Sequence, residues 1–277
     1  MFRLLTGIIL SLLMLSDSKI SNAQSGYAGV NGISMYYEIY GNGMPLVLIH
    51  GGGSTIQTTF SKIIPLLEKN HKVIAVELQA HGHTSDRDAP ESFDQDADDV
   101  AALMNYLKID KADILGFSNG GNTAMKIGMK YPSMVSKLVV ISALYKRNGM
   151  INGFFEGLEK AKLDDMPEHL RNAFLEIKND SAALLTMFNK DRMRMVQFKD
   201  WNDNDLASIK APTLLVLGDK DVVTTEHAVE MNRKIRDSEL LVLPGNHGSF
   251  IGEGMKENEK SKMPALTVGI IEEFLNK

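Results

Sequence analysis

Across its 277 residues the chain contains no cysteine. That excludes disulfides, thiolate metal ligands and a lipidated cysteine at a processing site. No charge sign is in strong excess: 30 Lys and Arg against 35 Asp and Glu give a net charge of −5. No basic surface therefore calls for nucleic acid or anionic membrane. Long apolar runs are also lacking. The single candidate, Leu4 to Leu15, is shorter than the ~20 residues of a comfortable bilayer span. Internal repeats and low-complexity linkers are absent. With 44% hydrophobic and 23% charged residues, the composition is that of a globular protein. The length fits one large α/β domain or a core carrying an inserted subdomain.

The N-terminus reads "MFRLLTGIILSLLMLSDSKISNAQS". Arg3, the apolar stretch and the small polar residues ending in Ala23 have the layout of a secretory signal peptide, residues 1–23, cleaved after Ala23. An exported product with no membrane anchor is the expectation. An uncleaved anchor is the weaker reading. The sequon at Asn179 matters only in a eukaryotic secretory pathway. Acidic residues cluster in "DRDAPESFDQDADD", Asp86 to Asp99. Ser92 and Gln95 there fit a capping box, and carboxylates suit a helix N-terminus. The run lacks the glycine and final glutamate of a calcium-binding EF-hand loop.

Past the leader, Asn31-Gly32 lies between two β-rich runs and predicts a hairpin. Continuous apolar runs follow at Leu46–Ile49 and at 72–78, 112–117, 137–142, 212–218 and 239–245, each the mark of a strand buried on both faces. Helical patterns alternate with them: Thr59 to Leu67, Phe93 to Leu107, Asn119 to Lys130, Thr225 to Ile235, and Pro264 to Leu275. This predicts an α/β fold with a mostly parallel sheet and helices on both faces. The interval 145–207 breaks the alternation with helical, Met- and Phe-bearing sequence, too long for a loop. It reads as a helical lid inserted between core segments 24–144 and 208–277.

Ligands collect beyond the carboxyl ends of parallel strands. Ser118, in Gly116-Phe117-Ser118-Asn119-Gly120, follows one such strand. The G-x-S-x-G pattern suits a turn too tight for flanking side chains, with the serine at its apex; the alternative is a serine that merely caps a helix. His50-Gly51-Gly52-Gly53 follows a second strand, Asp219 and Asp221 a third, and His247 a fourth. A hydroxyl needs an adjacent base to act as a nucleophile, and a carboxylate behind an imidazole fixes its tautomer. Both aspartates are open for that place. His247, in the loop "PGNHGS", is where a mobile base belongs, whereas His227 falls on a solvated helix face. His50 is read as a hydrogen-bonding brace for the glycine loop, and His71 and His169 as surface residues. His81 and His83 lie two apart with no third metal ligand nearby. The glycine loop has neither P-loop nor dinucleotide spacing, so no metal or cofactor is implied.

The chain after the leader resembles the α/β-hydrolase superfamily. "VNGISMYYEIYGNGMPLVLIHGGG", "HGHTSD", "LGFSNGG", "APTLLVLGDKD" and "LPGNHGSF" look like its landmark segments in its order. The general likeness is to small esterases, lactonases and cofactor-free haloperoxidase-like serine hydrolases. It implies a triad of Ser118, Asp221 and His247, because the family's G-x-x-D pattern favours Asp221, led by Gly218; Asp219 is the alternate. Backbone N–H groups of Gly52 and Asn119 would form the oxyanion hole, with Gly53 as alternate. In "HGHTSD", Ala80 stands where the family's loop usually has an arginine.

Serine as nucleophile argues against haloalkane dehalogenases and epoxide hydrolases, whose members place aspartate there. "HGGGS" also lacks the proline of the iminopeptidase-like group. The lid carries Phe154, Phe155, Phe174, Phe188, Phe198, Trp201, Met150, Met187, Met193 and Met195. Many of these should pack lid on core and the rest line an apolar pocket, while Arg192 and Arg194 are available to a carboxylate. The expected activity is hydrolysis of small or medium apolar carboxylic esters through an acyl-enzyme. Lactone opening, carbon–carbon bond hydrolysis, amide cleavage and perhydrolysis use the same triad. The rival of another class is a non-catalytic ligand-binding homologue. Oligomeric state is not legible.

Overall fold

The computed structural model describes residues 23–255 and 259–277. The expected signal peptide therefore lies outside the described residues except for Ala23. Asn31 and Gly32 both adopt positive φ, 44° and 85°, the paired left-handed conformation of a two-residue hairpin turn. They join β1 (Gln24–Val30) to β2 (Ile33–Tyr40). The further strands are β3 (Met44–Ile49), β4 (His71–Val76), β5 (Ala112–Phe117), β6 (Val135–Ile141), β7 (Thr213–Lys220) and β8 (Ser238–Asn246). Together they form one sheet in the order β1-β2-β4-β3-β5-β6-β7-β8. The hairpin is antiparallel and β2 meets β4 antiparallel. From β4 through β8 every neighbour is parallel.

The helices are α1 (Ile56–Phe60), α2 (Ile64–Leu67), α3 (Phe93–Tyr106), α4 (Asn119–Lys130), α5 (Phe154–Lys160), α6 (Glu168–Ile177), α7 (Ser181–Val196), α8 (Asp203–Ala207), α9 (Thr225–Lys234) and α10 (Met263–Leu275). Alternation along β3 explains why both sheet faces are covered. Val47 and Ile49 join a core shared with α3, α4 and α9, while Leu46 and Leu48 join one shared with α1, α2 and α10. Each face buries its own apolar row, as the continuous runs predicted.

Two local expectations change. The helix expected over Thr59 to Leu67 is split into α1 and α2. Pro65, which lacks an N–H, sits in the first turn of the second piece, the one helical position that tolerates it. At α3, the Ser92 side chain accepts from the Gln95 N–H at 3.1 Å. The reciprocal arm of the capping box is not formed; the Gln95 amide nitrogen donates to Asp99 at 2.9 Å. Asp96 and Asp99, on the same helix, are buried rather than solvated.

Between β6 and β7 lie α5 to α8 and no strand. Met150 pairs with Val223 in an isolated bridge, and the Trp201 N–H donates to the Tyr145 carbonyl at 2.8 Å, pinning both ends of the interval. Met166, Leu170, Phe174, Leu184 and Met187 form an apolar cluster of their own with Ala80. Phe155, Phe198 and Trp201 belong instead to the main core. Phe198 and Trp201 each present an edge to Phe93, with ring centroids 6.1 and 6.3 Å apart.

Candidate active site

At the end of β5 the chain turns into α4 through Ser118, whose φ of 54° and ψ of −120° are strained for a residue with a side chain. Such a conformation costs of order 1–3 kcal/mol and persists only when its surroundings enforce it. Here the Ser118 N–H donates to the Ile141 carbonyl, and the Ser118 carbonyl accepts from Gly121 and Asn122. The flanking glycines have a steric origin. A Cβ on Gly116 would lie 2.0 Å from the Gly120 carbonyl oxygen, and one on Gly120 would lie 2.1 Å from that of Ile49. The G-x-S-x-G spacing thus reflects backbone packed on backbone, which leaves the Ser118 hydroxyl at the apex.

That hydroxyl lies 3.0 Å from His247 Nε2, and His247 Nδ1 lies 2.7 Å from Asp221 Oδ1. Because Nδ1 faces a carboxylate, it carries the proton, and Nε2 is left to accept the serine's. The Asp221 side chain is 0% exposed and that of His247 30%, so the acid is sealed and the base opens toward the cavity. Asp221 also accepts from the Ser142 hydroxyl at 2.5 Å and from the N–H groups of Gly218 and Val223. Burial raises its pKa, but the His247 hydrogen bond and charge, Ser142 and the Val223 N–H outweigh it and hold the carboxyl below its ordinary range. The Phe117 ring, 4.8 Å from the His247 ring, backs the base.

Asp219, the alternate acid, is exposed and accepts from the Gly245 N–H at 2.8 Å. It shapes the loop before His247 and does not reach the ring. Ser142 was missed from the sequence, although it follows β6 at the same sheet edge.

In the glycine loop, His50 donates from Nδ1 to the Gly51 carbonyl at 2.7 Å and accepts the Leu78 N–H at Nε2 at 3.0 Å. Burial pushes its pKa down to about 3, so it is a neutral brace as expected. Gly53, the alternate oxyanion donor, gives its N–H to His81 Nε2 at 3.2 Å and is thereby engaged elsewhere. For His81, burial acts to lower the pKa, while the bond and charge of Asp191 and the charge of Glu91 raise it to about 9. The geometry holds the neutral ring, since an N–H on Nε2 would face the Gly53 N–H and Asp191 stands 3.8 Å away. At Ala80, φ is 64°. The loop is braced without an arginine there, by the Gln79 amide, which donates to Asp86 and to the carbonyls of Arg87 and Ala89.

Other residues stand apart from the triad. His227 is 3% exposed, not solvated: it accepts the Tyr145 N–H at Nε2 and stacks on the Tyr145 ring. His71, expected at the surface, is buried against Glu272; His169 is exposed. His83 turns away from His81 to pair with Glu77 at 3.0 Å. Among the described residues no three His, Asp or Glu side chains gather as a metal site. Arg194 is not available to a substrate carboxylate, being buried against Asp191, Asp96 and Glu91. Arg192 caps α5 by donating to the Leu158 and Glu159 carbonyls and also lines the cavity.

Over Ser118 and His247 opens a cavity of about 320 Å³. Met150, Phe154, Phe188, Met187 and Met195 line it, as does Leu144, while Phe155, Phe174, Phe198, Trp201 and Met193 do not. Periodicity alone did not separate these two groups, because both are apolar residues on helices.

Residues 44–179 match the model of the alpha/beta hydrolase fold family. The chain is 31% identical over 241 residues to the human serine hydrolase BPHL, covering 82% of this chain and 81% of that protein. It is 28% identical over 256 residues to the AB hydrolase superfamily protein YisY of Bacillus subtilis, covering 82% and 93%. Its fold is that of a meta-cleavage product hydrolase from Pseudomonas fluorescens IP01, with a TM-score of 0.75 over 91% of this chain and 97% of that one at 22% identity. The strained serine, the hydrogen-bonded relay behind it and the parallel sheet that delivers both place this chain in the α/β-hydrolase family.

Proposed function

We propose that this hydrolase is an exported serine esterase that cleaves small to medium apolar carboxylic esters through an acyl-enzyme. The observation that carries the reading is the unbroken chain from Ser118 Oγ to His247 to buried Asp221, opening under an apolar cavity. Ser118 Oγ attacks the ester carbonyl carbon as His247 Nε2 takes its proton. The oxyanion that forms collects the N–H groups of Asn119 and Gly52. Asn119 is the first residue of α4, where an amide has no partner within the helix. His247 returns the proton to the departing alcohol, and water then repeats the sequence on the acyl group.

A cavity of about 320 Å³ sits at the low end of the ~300–1,000 Å³ range of ligand pockets, which supports short acyl chains. Export rests on the order of Arg3, the apolar Leu4 to Leu15 stretch and Ala23. N-terminal sequencing of protein recovered outside the cytoplasm should begin at Gln24.

The test is a panel of aryl esters of graded acyl length, lactones, thioesters and aminoacyl arylamides, each with wild type and Ser118→Ala. Short-chain esters should have the highest kcat/KM, and Ser118→Ala should abolish turnover. Turnover confined to lactones or amides overturns the ester assignment, and turnover that survives Ser118→Ala overturns the nucleophile. Binding without turnover of any member would make the protein a non-catalytic homologue.

A further inference from the structure

Asp191, on α7, reaches across from the segment above the cavity into the floor of the site. Its Oδ1 accepts from the Asn119 side-chain amide at 2.8 Å and from Arg194. Its Oδ2 lies where it leaves no room on Gly52: a Cβ there would sit 2.3 Å from that oxygen and 2.5 Å from Asn119 Nδ2. His81, whose Nε2 receives the Gly53 N–H, stands 3.8 Å from the same carboxylate. One side chain from outside the α/β core thus touches Asn119 and Gly52 and stands beside the ring that holds Gly53.

A bare carboxylate in this place would oppose an oxyanion. Arg194, one turn further along α7, prevents that. Its guanidinium pairs with Asp191 and is anchored in turn by Asp96 at 2.6 Å, with Glu91 at 3.6 Å. Asp191 is held ionised despite its burial, chiefly by the Arg194 charge. The pair therefore presents a hydrogen-bond acceptor to Asn119 with its charge neutralised locally.

We propose that Asp191 is a positioning residue for the oxyanion hole. It clamps the Asn119 side chain against Gly52, so that the two backbone N–H groups converge on one point, and Arg194 cancels its field there. The inference rests on the esterase reading above. Donor alignment matters on this scale because a displacement of about 1 Å in a catalytic group costs on the order of 100-fold in rate, and loss of one oxyanion donor costs about 100- to 1,000-fold.

The test is a double-substitution cycle with Asp191→Ala, Asn119→Ala and the pair, reading kcat and KM on a short-chain aryl ester and Ki for an arylboronic acid, which forms a tetrahedral anion on serine. Each single variant should lose about 10- to 100-fold in kcat, with KM within about threefold and Ki rising in step with the loss of kcat. The pair should lose little more than either single, since both break the same contact. Asp191→Asn, which keeps an acceptor for Asn119, should recover part of the loss. Should Asp191→Ala not fold, Asn119→Ala alone decides, because it leaves the Asp191–Arg194 pair in place. A charge readout is independent of the clamp: Arg194→Met should lose more activity than Arg194→Met combined with Asp191→Asn.

Losses in KM with an unchanged boronate Ki, additive losses in the cycle, or full activity in Asn119→Ala would overturn the positioning role. Failure of the esterase reading looks different: wild type itself would then not turn over the ester, before any substitution is made.

Discussion

The Ser142 hydroxyl donates to Asp221 Oδ2 at 2.5 Å, on the oxygen that His247 leaves free. Both residues end neighbouring strands, and Ser142 holds a positive φ of 53°, so the backbone at β6 is bent to bring this hydroxyl to the acid. A hydrogen bond to a charged group contributes ~1.5–3 kcal/mol, part of which survives in how firmly the carboxylate holds the imidazole. Ser142→Ala should lower kcat about 10-fold with little change in KM, measured by steady-state kinetics on a short-chain aryl ester.

The two aspartates of β7 and its loop separate by the same logic. Asp221 alone reaches His247; Asp219 spends its carboxylate on the Gly245 N–H. Asp221→Asn should reduce kcat on the order of 10⁴-fold through the wrong tautomer. Asp219→Asn, which keeps an acceptor for that N–H, should stay within about 10-fold. Comparable losses in the two would mean that the loop geometry, not the carboxylate behind the ring, sets the rate.

Much of this was legible in the sequence, for reasons visible in the structure. Parallel strands buried on both faces write continuous apolar runs, and their carboxyl ends form one rim. Ser118, His247 and the aspartate pair Asp219 and Asp221 could therefore be brought together from three separate segments, and the resemblance to the family, through Gly218 and its G-x-x-D pattern, favoured Asp221. The Asp191–Arg194–Asp96 network was not legible. Its members come from α7 and α3, and a buried ion pair leaves no period or spacing in either helix. For His227 the signal lies in position rather than residue type: it shares a buried face of α9 with Ala228 and Met231, so the apolar stripe and not its polarity places it inside. Pro65 likewise marked the break between α1 and α2.

Glycines divide by what surrounds them. Gly116 has backbone 2.0 Å from where a Cβ would be, whereas Gly269, exposed within α10, has nothing within 4 Å. Gly116→Ala should abolish soluble folded protein or the activity that depends on the turn. Gly269→Ala should raise stability by about 0.5–1 kcal/mol, the helix propensity difference, with unchanged turnover. Urea denaturation of the second variant, read by circular dichroism, checks the sign.

Glu253 supplies a test in pH. Ser54 donates to its Oε1 at 3.0 Å, while Oε2 is buried without a hydrogen-bond partner. Burial is the main cause of a pKa raised to about 7, against the lowering effects of Thr59, Ser54 and His247. A carboxyl whose folded pKa lies above its unfolded value of 4.5 gives the native state stability at low pH. That stability is lost as pH rises toward and through about 7. Glu253→Gln keeps an acceptor for Ser54 and does not ionise. Its stability relative to wild type should therefore grow as pH rises from about 4.5 to about 7 and level off above that, on the order of 1 kcal/mol per pH unit within the window. A difference constant across that range would show that Glu253 does not titrate there.

The relay behind Ser118 is tested most directly by exposing wild type, Ser118→Ala and His247→Ala to a fluorophosphonate and locating the adduct by peptide mass spectrometry. A single adduct on the peptide bearing Ser118, absent from Ser118→Ala and formed at least about 1,000-fold more slowly in His247→Ala, is the predicted result. An adduct that persists in Ser118→Ala, or that forms at the wild-type rate without His247, would contradict it.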